Sequence, residues 1–199
     1  AASDVYKRQN LDWPDAVVAG PGMFKNYWSE QILYKLLVHV ADKNIPTLLD
    51  AGALRLLSHK AFSKIKLHSE MVLTPHPGEA AEMLNTPVNE IQENRVKSVK
   101  ALQKKYGCII VLKGNGTIIC NKNDAYLCSS GGPELAVAGS GDILSGVIGS
   151  LMAQGLSPFD AAKTGVEIHA LAGAEFVKDV GRIGLAAGEL ISYIRKFLN

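Results

Sequence analysis

Apolar positions along this chain alternate between two patterns: short β-branched runs, and long stretches in which apolar residues recur at helical spacing. That alternation is the signature of βα units arranged around a mainly parallel sheet covered by helices on both faces. The strand-like runs are DAVVAG at 15–20, PTLLD at 46–50, EMVLT at 70–74, CIIVLK at 108–113, TIICN at 117–121 and DAYLC at 124–128. The last three lie too close together for intervening helices, so they predict an antiparallel meander at one side of the sheet. Helical periodicity predicts helices over residues 27–43, 77–85, 89–106, 141–154, 158–178 and 185–198. In the fourth of these, Ile143, Leu144, Val147, Ile148, Leu151 and Met152 form one broad apolar face, which marks it as facing the core. Gly146 and Gly149 lower its helix propensity and predict close approach of a neighbouring element. Ser157 and Pro158 supply an N-cap and a first-turn proline for the fifth.

Composition narrows this to one α/β domain. With 199 residues, 47% of them hydrophobic and 20% charged, the chain can bury one substantial core but not two full domains. The expected domain runs over 15–199; residues 1–14 show neither period and read as a non-native or linker segment. A net charge of +2 with scattered lysines and arginines excludes a nucleic-acid or anionic-membrane surface and leaves small-molecule chemistry. No apolar stretch approaches the length of a membrane span. Cys108, Cys120 and Cys128 each sit in or beside an apolar run without a C-x-x-C pair, and read as buried free thiols. An odd count with no signal-peptide pattern points to a reducing compartment and a cytoplasmic protein.

Four loops follow predicted strands, where open α/β sheets bind ligands. In GGPELAVAGSGDILSG, at 131–146, Gly139 and Gly141 permit a tight turn with consecutive exposed N–H groups, and the helix beginning there adds the positive end of its dipole. Gly139, Ser140 and Gly141 thus form a candidate anion hole. Asp142 repels a phosphate held there unless it has work to do, such as taking a proton from an attacking hydroxyl; the alternative is that it caps the first turn. In VLKGNGT, at 111–117, Lys113, Gly114 and Gly116 suit either a phosphate or ribose site or a simple hairpin turn at Asn115-Gly116. In LTPHPGE, at 73–79, two prolines hold His76 on a stiff loop, where it either contacts a ligand or sits exposed in a turn. His39, His59, His68 and His169 read as structural. VVAGPGM, at 17–23, carries Gly22 in what is equally a plain strand-to-helix turn, and Asp50 stands at another strand end, to meet a polar ligand or cap a following helix.

Taken in order, VVAGPGM, PTLLDAGAL, LTPHPGEAAEML, GCIIVLKGNGTII and AVAGSGDILSGVIGSLMAQGLSPFDAA resemble the ADP/ATP-dependent NAD(P)H-hydrate dehydratase family. The resemblance implies a ribokinase-like three-layer sandwich. It also implies a metabolite-repair activity: ADP- or ATP-dependent dehydration of the S epimer of hydrated NADH or NADPH, restoring the reduced cofactor. By that resemblance Lys113, Gly114, Asn115, Gly116, Thr117 and Gly141 contact the adenine nucleotide, and Gly22, His76 and Asp142 contact the hydrated nicotinamide. Asp142 would be the catalytic base, Mg²⁺ would accompany the nucleotide, and no protein metal site is implied. A homo-oligomer, tetrameric in stand-alone relatives, and an epimerase domain or partner are further implications. The sequence departs from the pattern at Phe24 and Glu134, where the family usually carries Gly, and at Gly52, where it usually carries Asp. The family also begins with a further segment of roughly eighty residues, so the chain is expected to be N-terminally truncated. A vitamin-precursor kinase of the same fold and an inactive nucleotide-binding scaffold are the competing readings.

Overall fold

A computed structural model of the chain describes residues 13–198. Strands β1 (Val17–Ala19), β2 (Thr47–Leu49), β3 (Val72–Leu73), β4 (Ile109–Leu112), β5 (Thr117–Cys120) and β6 (Ala125–Cys128) form one sheet in that order. β1 to β4 run parallel, and β4, β5 and β6 pair antiparallel, so the expected meander stands at one side of the sheet.

Neighbouring residues on each strand serve opposite cores, because side chains alternate across a pleated sheet. Leu49, Leu73 and Ile110 join one cluster with Leu33, Leu54, Met83 and Leu102. Leu48, Val72 and Ile109 join another with Leu144, Ile148 and Val166. Burial on both faces explains why the parallel strands read as continuous apolar runs. The first face carries α1 (Tyr27–Lys43), α2 (Ala51–Leu57), α3 (Pro77–Leu84), α4 (Val88–Glu93) and α5 (Arg95–Tyr106). The second carries α6 (Ser140–Ala153) and α7 (Pro158–Asp179), with α8 (Leu190–Ile194) packed on α7 through Phe176, Leu185 and Leu190. The three-layer α/β architecture follows.

Several boundaries differ from the periodic reading. The stretch expected as one helix over 89–106 breaks at Asn94, whose φ of −130° and ψ of 53° end α4 and start α5 at Arg95. Asp50 does cap a following helix: its Oδ1 accepts from the Ala51 N–H at 2.8 Å, starting α2 directly after β2. The C-terminal segment turns helical at Ala187, and α8 is flanked by 3-10 turns. Gly149 does meet a neighbour, Val18 of β1, whereas Gly146 faces open space. The linker reading of residues 1–14 lies, for 1–12, outside the described residues.

Gly146 and Gly52 therefore predict opposite responses to alanine. A methyl at Gly146 meets nothing and restores helix propensity, worth about 0.5–1 kcal/mol of stability. A methyl at Gly52, in the first turn of α2, collides with the Met23 backbone carbonyl and should cost about 1–3 kcal/mol. Urea unfolding midpoints of Gly146→Ala and Gly52→Ala should move up and down respectively.

Candidate functional site at the carboxyl edge of the sheet

Parallel strands end on the same edge, so the loops after β1, β2, β3 and β4 converge, and β6, parallel to β4 after two reversals, delivers the chain to the same edge before α6. Main-chain bonds stitch these loops together. The Asp50 N–H donates to Ala19 O at 3.0 Å, Thr74 N–H to Leu49 O at 3.1 Å, and Lys113 N–H to Pro75 O at 2.9 Å.

Across this edge lies a buried charge cluster. Lys113 Nζ donates to Asp50 Oδ1 at 2.7 Å, and Ser145 Oγ of α6 donates to Asp50 Oδ2 at 2.8 Å. Asp50 is 1% exposed and its oxygens are fully engaged, so its charge is compensated on every side. The Lys113 ammonium lies 3.3 Å from where a Cβ on Gly141 would stand. The first turn of α6 thus sits directly over the cation.

That turn is shaped for an anion. Gly139, the N-cap of α6, takes a φ of 84° and supplies no side-chain cap; the Ser140 N–H turns back to Val137 O at 3.2 Å, and the next two N–H groups, of Gly141 and Asp142, are left to an external acceptor. Ser140 is held from behind by His169 of α7, whose Nε2 lies 3.1 Å from both the Ser140 carbonyl oxygen and Oγ. A carbonyl only accepts, so the network assigns the proton to Nε2 and leaves the Ser140 hydroxyl proton for another acceptor. Burial pushes the His169 pKa down, opposed by its bond to the Ser140 backbone and reinforced by Lys113. His169 is structural, as expected, but it supports the anion turn.

Asp142 occupies the first turn of α6 and is solvent-exposed. Its carboxylate has no hydrogen-bond partner among the described residues, and it makes no cap. It borders a groove of about 280 Å³ with Gly146, Val147, Ser150 and Ile191.

The Lys113–Thr117 loop is a hairpin connection between β4 and β5, with Gly114 at φ 135° and Gly116 at φ 69°. Gly114 and Asn115 are exposed, and Thr117 Oγ1 donates to Gly114 O at 3.1 Å. His76 is the N-cap of α3: its Nδ1 accepts from the Gly78 and Glu79 N–H groups at 3.0 and 3.2 Å. Glu79 reciprocates by accepting from the His76 N–H at 2.9 Å, and its other oxygen lies 3.4 Å from Nε2. The imidazole is half-exposed, with Nδ1 committed to the backbone. Gly22 stands at φ 73° in the exposed turn after β1 with open space beside it. The departure at Gly52 has a local reason: any side chain at 52 runs into Met23, the residue before Phe24.

Sequence reasoning missed Ser145 and Arg95 and left the role of Asp50 open. Ser145 lies 95 residues from its partner Asp50 in the chain. No local spacing signals such a bond. Nor does Glu134, buried against Gly132 and Gly173, announce its burial in the sequence.

A family model described as NAD(P)H-hydrate dehydratase matches residues 2–196. The chain belongs to that family. It is 41% identical over 184 residues to the bifunctional NAD(P)H-hydrate repair enzyme Nnr of Coxiella burnetii, covering 92% of this chain and 36% of that protein. It is 37% identical over 203 residues to the ADP-dependent (S)-NAD(P)H-hydrate dehydratase of Neisseria meningitidis serogroup B, covering 100% of this chain and 67% of that one. Among solved structures, it superposes with a TM-score of 0.82 and 31% identity on the ADP/ATP-dependent NAD(P)H-hydrate dehydratase of Bacillus subtilis, co-crystallized with ATP/Mg²⁺ and soaked with CoA. That match covers 92% of this chain and 65% of the other. A ribokinase-like superfamily protein of Enterococcus faecalis gives a TM-score of 0.85 at 25% identity, over 98% of this chain and 67% of that one. The fold is ribokinase-like, and the chain spans little more than a third of the bifunctional relative, 36% of its length.

Two expectations follow from the cluster. Asp50→Ala strands the Lys113 ammonium in a part-buried site, and loss of one partner of a buried pair costs about 3–5 kcal/mol; the thermal midpoint should drop far more than for Asp160→Ala at an exposed pair. His169, whose folded pKa lies below its usual 6.5, contributes stability that is complete above that pH and is lost as pH falls through it toward the folded value. Stability measured by urea unfolding should therefore decline on acidification below pH 6.5, and decline less steeply in His169→Gln.

Proposed function

We propose that this chain carries the nucleotide and base-bearing side of an enzyme that uses ADP or ATP to dehydrate the S epimer of hydrated NADH or NADPH, restoring the reduced cofactor. One observation carries the reading: an unpartnered carboxylate, Asp142, shares a helix turn with free amide N–H groups stationed over the Lys113 cation. The names of the relatives from Neisseria meningitidis and Bacillus subtilis support it.

Asp142 takes the proton from the ring hydroxyl as that oxygen attacks the terminal phosphorus of the nucleotide, which departs with one phosphate fewer. The phosphorylated oxygen then leaves the ring carbon as phosphate with its bonding electrons. The adjacent carbon gives up a proton, and the ring double bond forms. The turn at Gly139, Ser140 and Gly141 cradles the transferring phosphoryl group, with the Ser140 N–H held by Val137 O and the Gly141 N–H left to the ligand, where donors fixed in advance act most strongly. Lys113 adds positive charge from below, and Gly114, Asn115, Gly116 and Thr117 line the nucleotide. Gly22 and His76 belong to the nicotinamide side.

Among the described residues no three His, Cys, Asp or Glu side chains group to hold a metal ion. The unpartnered Asp142 carboxylate at the α6 turn suits Mg²⁺ arriving with the nucleotide, which the phosphates and that one carboxylate would hold. The cation would offset phosphate charge. The protein we envisage is cytoplasmic, which the three buried free thiols support, with burial pushing the Cys108 thiol up to about 12. No helix among the described residues is long and apolar enough to cross a membrane. Exposed Tyr27, Tyr34 and Val38 along α1 support a homo-oligomer, and an epimerase, fused or separate, would supply the S epimer.

The test is to incubate the chain with the S form of hydrated NADH, Mg²⁺ and ADP or ATP, following the absorbance of reduced nicotinamide and release of phosphate together. Both should rise in step. Asp142→Asn should reduce turnover by about 10²–10⁴-fold while retaining nucleotide. Phosphate release without recovery of NADH, or equal turnover by the variant, would defeat the reading.

A further inference from the structure

We infer that Arg95, at the start of α5, is a positioning residue that holds the Lys113–Thr117 loop in its nucleotide-binding shape; this rests on the assignment of that loop to the nucleotide. The guanidinium reaches out of its helix and gathers two carbonyls of the loop and that of Leu112 at the end of β4. Its NH2 nitrogen donates to Leu112 O at 3.1 Å, Gly116 O at 3.0 Å and Lys113 O at 3.4 Å. Its NH1 nitrogen donates to Lys113 O at 3.4 Å and to Gln92 Oε1 of α4 at 3.2 Å.

These contacts set the loop's orientation as well as its place. A peptide unit is planar, with its C=O and N–H on opposite sides. Drawing the Lys113 carbonyl toward the guanidinium therefore turns the Gly114 N–H away from it, toward the exposed side of the loop. The carbonyls of 113 and 116 flank the hairpin tip, so both of its arms are fixed to one rigid planar fork. Gly114 also has to be glycine for this purpose: a Cβ there would lie 2.9 Å from Arg95 NH1. Gly114 and Asn115 remain exposed with the fork in place.

Lysine cannot reproduce the arrangement, because one ammonium reaches one or two acceptors and has no planar fork. This separates loop positioning from a general requirement for a positive charge. The break between α4 and α5 at Asn94 gains a purpose as well, since it begins α5 at the residue that must face the hairpin.

The experiment measures ADP affinity by calorimetry for the unaltered chain, Arg95→Lys and Arg95→Ala, with the thermal midpoint of each in the absence of nucleotide. Arg95→Lys should fold and bind ADP about tenfold more weakly, and Arg95→Ala about tenfold to a hundredfold more weakly, the range expected for charge-assisted bonds. Millimolar guanidinium should restore part of the affinity of Arg95→Ala and leave Lys113→Met unrestored. Arg95→Lys binding within twofold of the unaltered chain overturns the inference. So does a loss in Arg95→Ala that tracks a collapsed thermal midpoint and shows no guanidinium rescue. If the unaltered chain binds neither ADP nor ATP, the nucleotide reading itself fails and takes this inference with it; normal binding by the variants removes only the inference.

Discussion

The ion pair between Asp50 and Lys113, closed by Ser145, is the constraint on which the site's arrangement depends. It joins the end of β2, the end of β4 and the body of α6 through two contacts of 2.7 and 2.8 Å on one carboxylate. Charges so far from water are tolerated only when each is matched, so the three elements cannot shift independently. Two consequences reach the surface. Lys113 is held under the first turn of α6 instead of extending into solvent, and the turn's own N–H groups add to its field. Asp142, three residues before Ser145 on the same helix, is left with no internal partner. The fold has thus compensated one carboxylate completely and left another, Asp142, without a partner among the described residues.

The surrounding loops extend this division. Arg95 holds the hairpin after β4 from the α5 side, while His169 holds Ser140 from the α7 side. Both supports leave the backbone N–H groups of Gly114, Asn115 and Gly141 without an internal partner among the described residues. A phosphate-bearing ligand needs such a surface, since its charge is best met by donors that need no reorganisation. His76, by spending Nδ1 on the α3 cap, becomes a fixed polar edge of the same crevice.

Much of this was legible in the sequence, for identifiable reasons. Strands buried on both faces leave dense β-branched runs, and glycine- or proline-bearing loops after them mark the carboxyl edge, which is why Gly22, His76, Lys113 and Asp142 could be singled out. Helix α1 was readable from its periodicity over 27–43, and the structure closes it at those ends with Asn26 as cap and Asn44 in a left-handed conformation. The break at Asn94 was not legible: apolar spacing continues across it, and Arg95, which restarts the helix, has its partners in the distant hairpin. Ser145, Arg95 and His169 were missed as site elements because their partners lie 95, 17–21 and 29 residues away. Such bonds depend on the closed sheet and have no local pattern. Asp50 was half legible, as a cap but not as the counter-ion of Lys113.

The proposed site holds a nucleotide phosphate at the first turn of α6, with Lys113 beneath that turn. Backbone amide resonances followed during ADP titration test this most directly. The account predicts that Gly139, Ser140 and Gly141 shift together with Gly114 to Thr117, saturating at one common concentration. Shifts confined to another surface, or a response in the hairpin without one in the α6 turn, would contradict it.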